Sequence, residues 1–198
     1  MQFMTVWPWF VVALLATTGL ATAQSTSGTI SGRAIDSQDR VYIADESLKR
    51  VSIFDKDGKF LSQWGVKGSA DGQLEYPSSI AFDADDNLWL TDSGNHRVLK
   101  FTQDGQLLSA WGQQGSGPGQ FQGPWGLALT DGGDVYISDW GNDRIQHYSA
   151  DGALIEEFAG LSEGDAIHRP AGLAVDGEGN IYVADWGNER VKVLGPDG

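Results

Sequence analysis

Four aspartates, Asp45, Asp92, Asp139 and Asp185, each stand five residues ahead of an arginine: Arg50, Arg97, Arg144 and Arg190. A carboxylate and a guanidinium at fixed separation could act as acid and base toward a substrate, or they could hold one another. A catalytic site needs its pair once, and this chain carries the pair four times. The repetition points to a brace. In it the carboxylate takes one edge of the guanidinium while the remaining N–H groups reach loop carbonyls. All of these aspartates and arginines are read as structural repeat residues.

Other chemistry-bearing types are sparse. His96, His147 and His168 invite a zinc reading. His96 lies four residues past Asp92, His147 eight past Asp139 and His168 29 past Asp139, so the three occupy unrelated places in the repeat. No metal site is expected from them. Asp83-Ala-Asp-Asp-Asn87 begins like a calcium loop, but no glutamate closes it, and the matched segments Thr130–Asp134 and Asp176–Asn180 share only turn chemistry. These read as hairpin turns. The chain has no Gly-x-Ser-x-Gly elbow, and the glycine-rich stretch at 115–119 lacks the Lys-Ser/Thr ending of a phosphate loop. No catalytic residue is assigned and no cofactor is expected.

Specificity should reside where the copies differ. After the recurring aspartate come Glu46, Ser93, Trp140 and Trp186; after the prolines Pro77, Pro124 and Pro170 come Ser78, Trp125 and Ala171. Tryptophan in a loop is costly to expose unless it packs or binds something. Ser93, Trp125, Trp140 and Trp186 are therefore the ligand-binding candidates, with the tryptophans forming an aromatic platform for a sugar or a peptide. The competing reading lays these rings over the neighbouring repeat.

The elements that would position them follow from the spacing. The arginines recur at intervals of 97 − 50 = 47, 144 − 97 = 47 and 190 − 144 = 46 residues. A period in this range marks a repeat architecture. Within each period short apolar runs alternate with Asp-Gly and Gly-Asn turn pairs, which favour hairpins. Four antiparallel strands per period make the blade of a β-propeller, an all-β fold. Blades are expected at about 29–64, 78–111, 124–158 and 170–198, the last with three strands, near 171–175, 181–184 and 190–194. That makes about 3.75 blades. They are read as part of a larger ring, with the sequence truncated at its C-terminus and the open edge available for self-association. Leu74, Phe121 and Ile167 are expected to plug the seams between blades.

The segments Asp92-Ser-Gly-Asn-His-Arg-Val-Leu-Lys-Phe101 and Asp185-Trp-Gly-Asn-Glu-Arg-Val-Lys-Val193 resemble the NHL repeat, as do the Pro-x-Gly-Leu-Ala openings at Pro124 and Pro170. Blade one departs from it: Glu46-Ser-Leu-Lys-Arg50 lacks the Gly-Asn pair, and Ile30 stands where proline is expected. The resemblance implies a propeller, commonly six-bladed, that serves as a binding platform. It also admits enzymes, such as peptide-amidating and streptogramin-type lyases, whose chemistry lies near the propeller axis. In that alternative an axial calcium or zinc ion would be held with the help of further blades.

Composition bounds the rest. Residues 1–23 combine an apolar run, Val6 to Leu20, with Ala21-Thr22-Ala23 and read as a secretory signal peptide, although no Lys or Arg precedes the run. Residues 24–28 form a short polar linker, and 29–198 the propeller. A secreted or periplasmic location is expected, with no membrane association after cleavage. The formal charge of −14 opposes binding to phosphate backbones, so nucleic acid is not an expected partner. Cysteine is absent, so packing rather than disulfides must hold the fold. The expected function is a binding module for a protein or glycan ligand.

Overall fold

The structure, a computed structural model, describes residues 30–159, 165–196 and 198. The signal peptide and the linker lie outside these residues. The strands are β1 (Ile30–Ile35), β2 (Val41–Asp45), β3 (Arg50–Phe54) and β4 (Phe60–Trp64); β5 (Pro77–Phe82), β6 (Leu88–Asp92), β7 (Arg97–Phe101) and β8 (Leu107–Trp111); β9 (Pro124–Leu129), β10 (Val135–Asp139), β11 (Arg144–Tyr148) and β12 (Leu154–Phe158); β13 (Pro170–Val175), β14 (Ile181–Asp185) and β15 (Arg190–Leu194). They form three four-stranded sheets and one three-stranded sheet, each an antiparallel meander in chain order. The innermost strands β1, β5, β9 and β13 contact one another in succession. The molecule is an all-β stack of four propeller blades.

Hairpin chemistry sets each meander. Asp83 Oδ1 accepts the N–H groups of Asp85 (3.0 Å) and Asn87 (2.9 Å), and Asp176 Oδ1 those of Glu178 and Asn180 (both 2.9 Å). The acidic turns thus use their first carboxylate to order their own backbone, as Asx turns do. Between the second and third strands of blades two to four lies a single 3-10 turn: Ser93–Asn95, Trp140–Asn142 and Trp186–Asn188. Each ends on a residue in the left-handed region, His96, Asp143 or Glu189, with φ between 53° and 56°.

Period-two alternation decides what lies between blades. Tyr42, Ala44, Val51 and Ile53 of blade one are buried against Ile80, Leu88, Leu90, Leu99 and Phe101 of blade two. Trp89 and Val98 repeat this on blade three, and Tyr136 and Ile145 on blade four. Leu74, Phe121 and Ile167 sit in the three seams, each at most 2 % exposed. β6 and β10 are buried along their whole length because both faces are covered. β14 alternates buried and exposed residues, because only one of its faces meets a blade.

Candidate functional site on the loop face

The recurring aspartate gathers the loop around itself in blades two to four. Asp92 Oδ1 accepts the Glu75 N–H at 2.8 Å, while its Oδ2 takes Asn95 Nδ2 (2.7 Å) and Arg97 Nε (3.1 Å). Asp139 takes Gln122 N–H, Asn142 and Arg144 in the same way, and Asp185 takes His168 N–H, Asn188 and Arg190. The arginine fork then crosses to the preceding interblade link. Arg97 donates to the carbonyls of Ser69, Ala70 and Gln73, and Arg144 to those of Ser116, Gly117 and Gln120. Asn95, Asn142 and Asn188 add bonds to Gly68 O, Gly115 O and Ala166 O. For Asp185, burial opposes ionisation, but the donors Asn188, His168 N–H and Arg190 outweigh it and hold the carboxyl below its usual range. The motif is a clamp that ties link to blade.

Blade one differs. Among the described residues no Asp45–Arg50 bridge forms: Leu48 replaces the asparagine, its own N–H donates to Asp45 Oδ1 at 2.9 Å, and Arg50 Nε is buried without a partner. The bracing expected for Asp45 and Arg50 therefore does not extend to this blade. A leucine cannot supply the amide that orients the carboxylate toward the guanidinium.

The histidines are dispersed. His96 Nδ1 accepts the Gly123 N–H at 3.0 Å, His147 stacks on Tyr136 (centroids 4.1 Å apart) beside Asp134, and His168 faces Asp143 at 3.1 Å. Among the described residues no group of three or more His, Asp or Glu is arranged to hold a metal ion.

The four ligand-binding candidates fare differently. Ser93 is buried, its hydroxyl bonded to Pro124 O and lying 2.6 Å from the Ser78 hydroxyl, so it joins two blades rather than facing solvent. Trp125 is 40 % exposed on β9, and its carbonyl accepts the Thr91 hydroxyl at 2.7 Å. Trp140 and Trp186 open the 3-10 turns of adjacent blades, and Trp186 is 61 % exposed. They are joined by a residue that the spacing had not singled out. The guanidinium carbon of Arg169 lies 5.1 Å from the Trp140 ring centroid and 6.0 Å from that of Trp186. Among the described residues no aromatic contact brings Trp125 to this pair. Arg169 takes a left-handed backbone, φ 50°, and its N–H donates to Asp143 at 2.8 Å. The only sequence signal for it is position: the equivalent residues before Pro124 and Pro77 are Gly123 and Tyr76. An open cleft of about 580 Å³ adjoins the group, lined by His168, Arg169, Trp186, Glu189 and Arg190 among others. Flat indole rings flanking a guanidinium can stack on a planar or pyranose surface and donate hydrogen bonds at its edge.

With this geometry in place, the relatives are informative. The model of the family described as NHL repeat matches residues 74–101, 121–148 and 168–194. Protein brain tumor of Drosophila melanogaster is 43 % identical over 51 residues, which are 26 % of this chain and 5 % of that protein. Among solved structures, a catalytically inactive virginiamycin B lyase from Staphylococcus aureus with quinupristin superposes with a TM-score of 0.68 at 15 % identity, over 88 % of this chain and 55 % of that one. A gluconolactonase from Xanthomonas campestris gives 0.63 at 23 %, over 84 % and 58 %. The chain thus spans little more than half of these structures and a twentieth of the fly protein. The structural likenesses show a shared fold across differing activities. The three matched segments are the three clamped blades, starting at the seam plugs Leu74 and Phe121 and one residue past the plug Ile167 and each running to the end of the third strand, and the chain belongs to the NHL-repeat β-propeller family.

Proposed function

We infer that this chain is an exported binding module that holds a protein or glycan ligand on the loop face of its propeller. The observation that carries this reading is the Trp140–Arg169–Trp186 group, two indoles of adjacent blades beside one guanidinium at 5.1 and 6.0 Å. Trp186 leaves 61 % of its surface to solvent next to an open cleft, which suits a residue that stacks on a ligand. The clamps hold both 3-10 turns, so the rings sit on rigid supports and lose little freedom on binding. Export rests on residues 1–23, and N-terminal sequencing of the secreted product should begin near Gln24.

Binding is tested by probing immobilised glycan and peptide arrays with the purified protein, then titrating the best hit by tryptophan fluorescence. Trp186→Ala is expected to weaken that ligand about tenfold or more, and Trp140→Ala with Trp186→Ala to abolish binding, with the circular dichroism spectrum unchanged. Undiminished binding by the folded double variant would sink the reading. A hit on one array alone identifies the ligand class.

A further inference from the structure

We propose that the ligand of the loop face is an acidic glycan, a chain of uronate sugars whose carboxylate is taken by Arg169 while its rings lie on the tryptophans. This rests on the reading that Trp140 and Trp186 receive a ligand, and it names the chemistry of that ligand. Among the described residues four basic side chains lie against aromatic rings. Arg40 stands over Tyr42, Lys49 over Tyr76 and Lys100 over Trp89. Each of these three has a carboxylate of its own: Asp36 at 2.6 Å, Glu75 at 4.0 Å and Asp83 at 2.8 Å. The fourth is Arg169, 5.1 Å from the Trp140 centroid and 6.0 Å from that of Trp186. Among the described residues its guanidinium donates no hydrogen bond and joins no ion pair; only its backbone N–H is engaged, by Asp143.

In a chain with 27 acidic and 13 basic residues, an arginine outside any ion pair is an exception. Arg97, Arg144 and Arg190 are taken up by Asp92, Asp139 and Asp185. Arg33 and Arg50 are in no ion pair among the described residues either, but neither lies over a ring there. The backbone at Arg169 points the same way. Its φ of 50° is in the left-handed region, and Gly123, at φ 71°, holds the same place before blade three. An arginine thus stands where glycine fits without strain, and strain of this kind marks positions whose side chain is used. Asp143 Oδ1 holds it there, accepting its N–H at 2.8 Å and facing His168 Nδ1 at 3.1 Å. Trp140 and Arg169 meet at the seam of blades three and four, so both sides of this contact are described.

The guanidinium is free to take an anion from a ligand, and the rings select its carrier. A planar guanidinium matches a planar carboxylate through two parallel N–H···O bonds. In a uronate the carboxylate is bonded directly to the pyranose, so a sugar lying on an indole presents it at the rim of that ring. Arg169 stands there, backed by Trp140. The pyranose also brings a flat C–H face for the indole to cover. The carboxylate of an acidic peptide side chain hangs on a flexible stem instead. That stem must be ordered on binding, and it gives the second indole nothing to cover.

The test is calorimetric titration of the purified protein with oligomers of galacturonate, mannuronate and guluronate, each beside its carboxyl-reduced neutral counterpart. At least one acid should bind about tenfold or more tighter than its counterpart, and less tightly as salt is raised. Arg169→Gln, with an unchanged circular dichroism spectrum, should weaken the acid about tenfold or more and the neutral form less than about twofold. The variant should then no longer distinguish the two. No binding by any of the three acids, or equal losses for acid and neutral forms, would overturn the proposal. Trp186-dependent binding confined to a neutral glycan or a peptide would also overturn it, while leaving the binding-module reading intact. Uronate binding that survives Trp140→Ala with Trp186→Ala would overturn both.

Discussion

At the scale of single residues, the recurring Asp and Arg owe their worth to what surrounds them. Asp92 is fully buried and accepts from Glu75 N–H, Asn95 and Arg97. Replacing it leaves a largely buried guanidinium without its counter-charge, and removing one partner of such a pair is costly even where the intact pair contributes little net stability. Asp92→Asn should therefore destabilise the protein by about 2–4 kcal/mol in urea unfolding. Asp45→Asn should cost less than about 0.5 kcal/mol, since Asp45 makes no bridge to Arg50 and an asparagine oxygen can still accept the Leu48 N–H. Equal losses at the two positions would refute the clamp. The pairing of Asp with Arg was legible from their fixed spacing. The failure in blade one was signalled by Leu48, whereas Arg169 was marked only by its place before Pro170, because a stack across two blades leaves no periodic trace.

At the scale of elements, the innermost strands show how closely blades approach. Gly126 lies on β9, where the Ser138 hydroxyl accepts its N–H at 2.6 Å and donates to Ala171 O at 2.6 Å. A Cβ there would overlap Ala171 O, so β9 and β13 would have to separate. Gly126→Ala is expected to cost about 1–3 kcal/mol by thermal or urea unfolding, as overpacking does. Gly172→Ala should change stability by less than about 0.5 kcal/mol in the same measurement, since only the Ala184 methyl, at 4.0 Å, approaches that position. The contrast follows from neighbours and not from the residue itself, since both positions are glycine in the third place of an innermost strand.

For the molecule as a whole, pH reports on its acidic surface and its buried rings together. Asp36, Asp83 and Asp185 all titrate below the usual carboxylate range. In Asp83, burial alone would raise the value, but the Lys100 ammonium at 2.8 Å, the Trp89 indole N–H at 2.9 Å and the Asn87 N–H overcome it. A depressed folded pKa contributes stability that is complete above the unfolded value, near 4, and is lost as pH falls through the folded one. Tyr42 is shifted the other way, to about 12, chiefly by burial. Its contribution is complete below the unfolded value, near 10, and fades as pH rises toward 12. Unfolding midpoints followed by circular dichroism should therefore form a plateau between about pH 5 and 9 and decline on both sides. A maximum near pH 4, or no alkaline decline, would contradict this account.

The repeat period, the strand and turn assignments and the seam plugs Leu74, Phe121 and Ile167 all followed from the order of residues, because blades are local meanders. Hydrogen bonds within a blade join consecutive strands, so alternation and turn chemistry already specify them. Which faces have neighbours is another matter. Tyr42 and Tyr182 stand in nearly identical local sequences, yet one is buried and the other is 40 % exposed. Ser93 and Trp186 share a register position, yet one is sealed between blades while the other stands beside Arg169. Burial at these positions depends on the surface that the next blade presents across the seam. That surface belongs to residues more than 30 positions away, and only the tertiary arrangement brings it into contact.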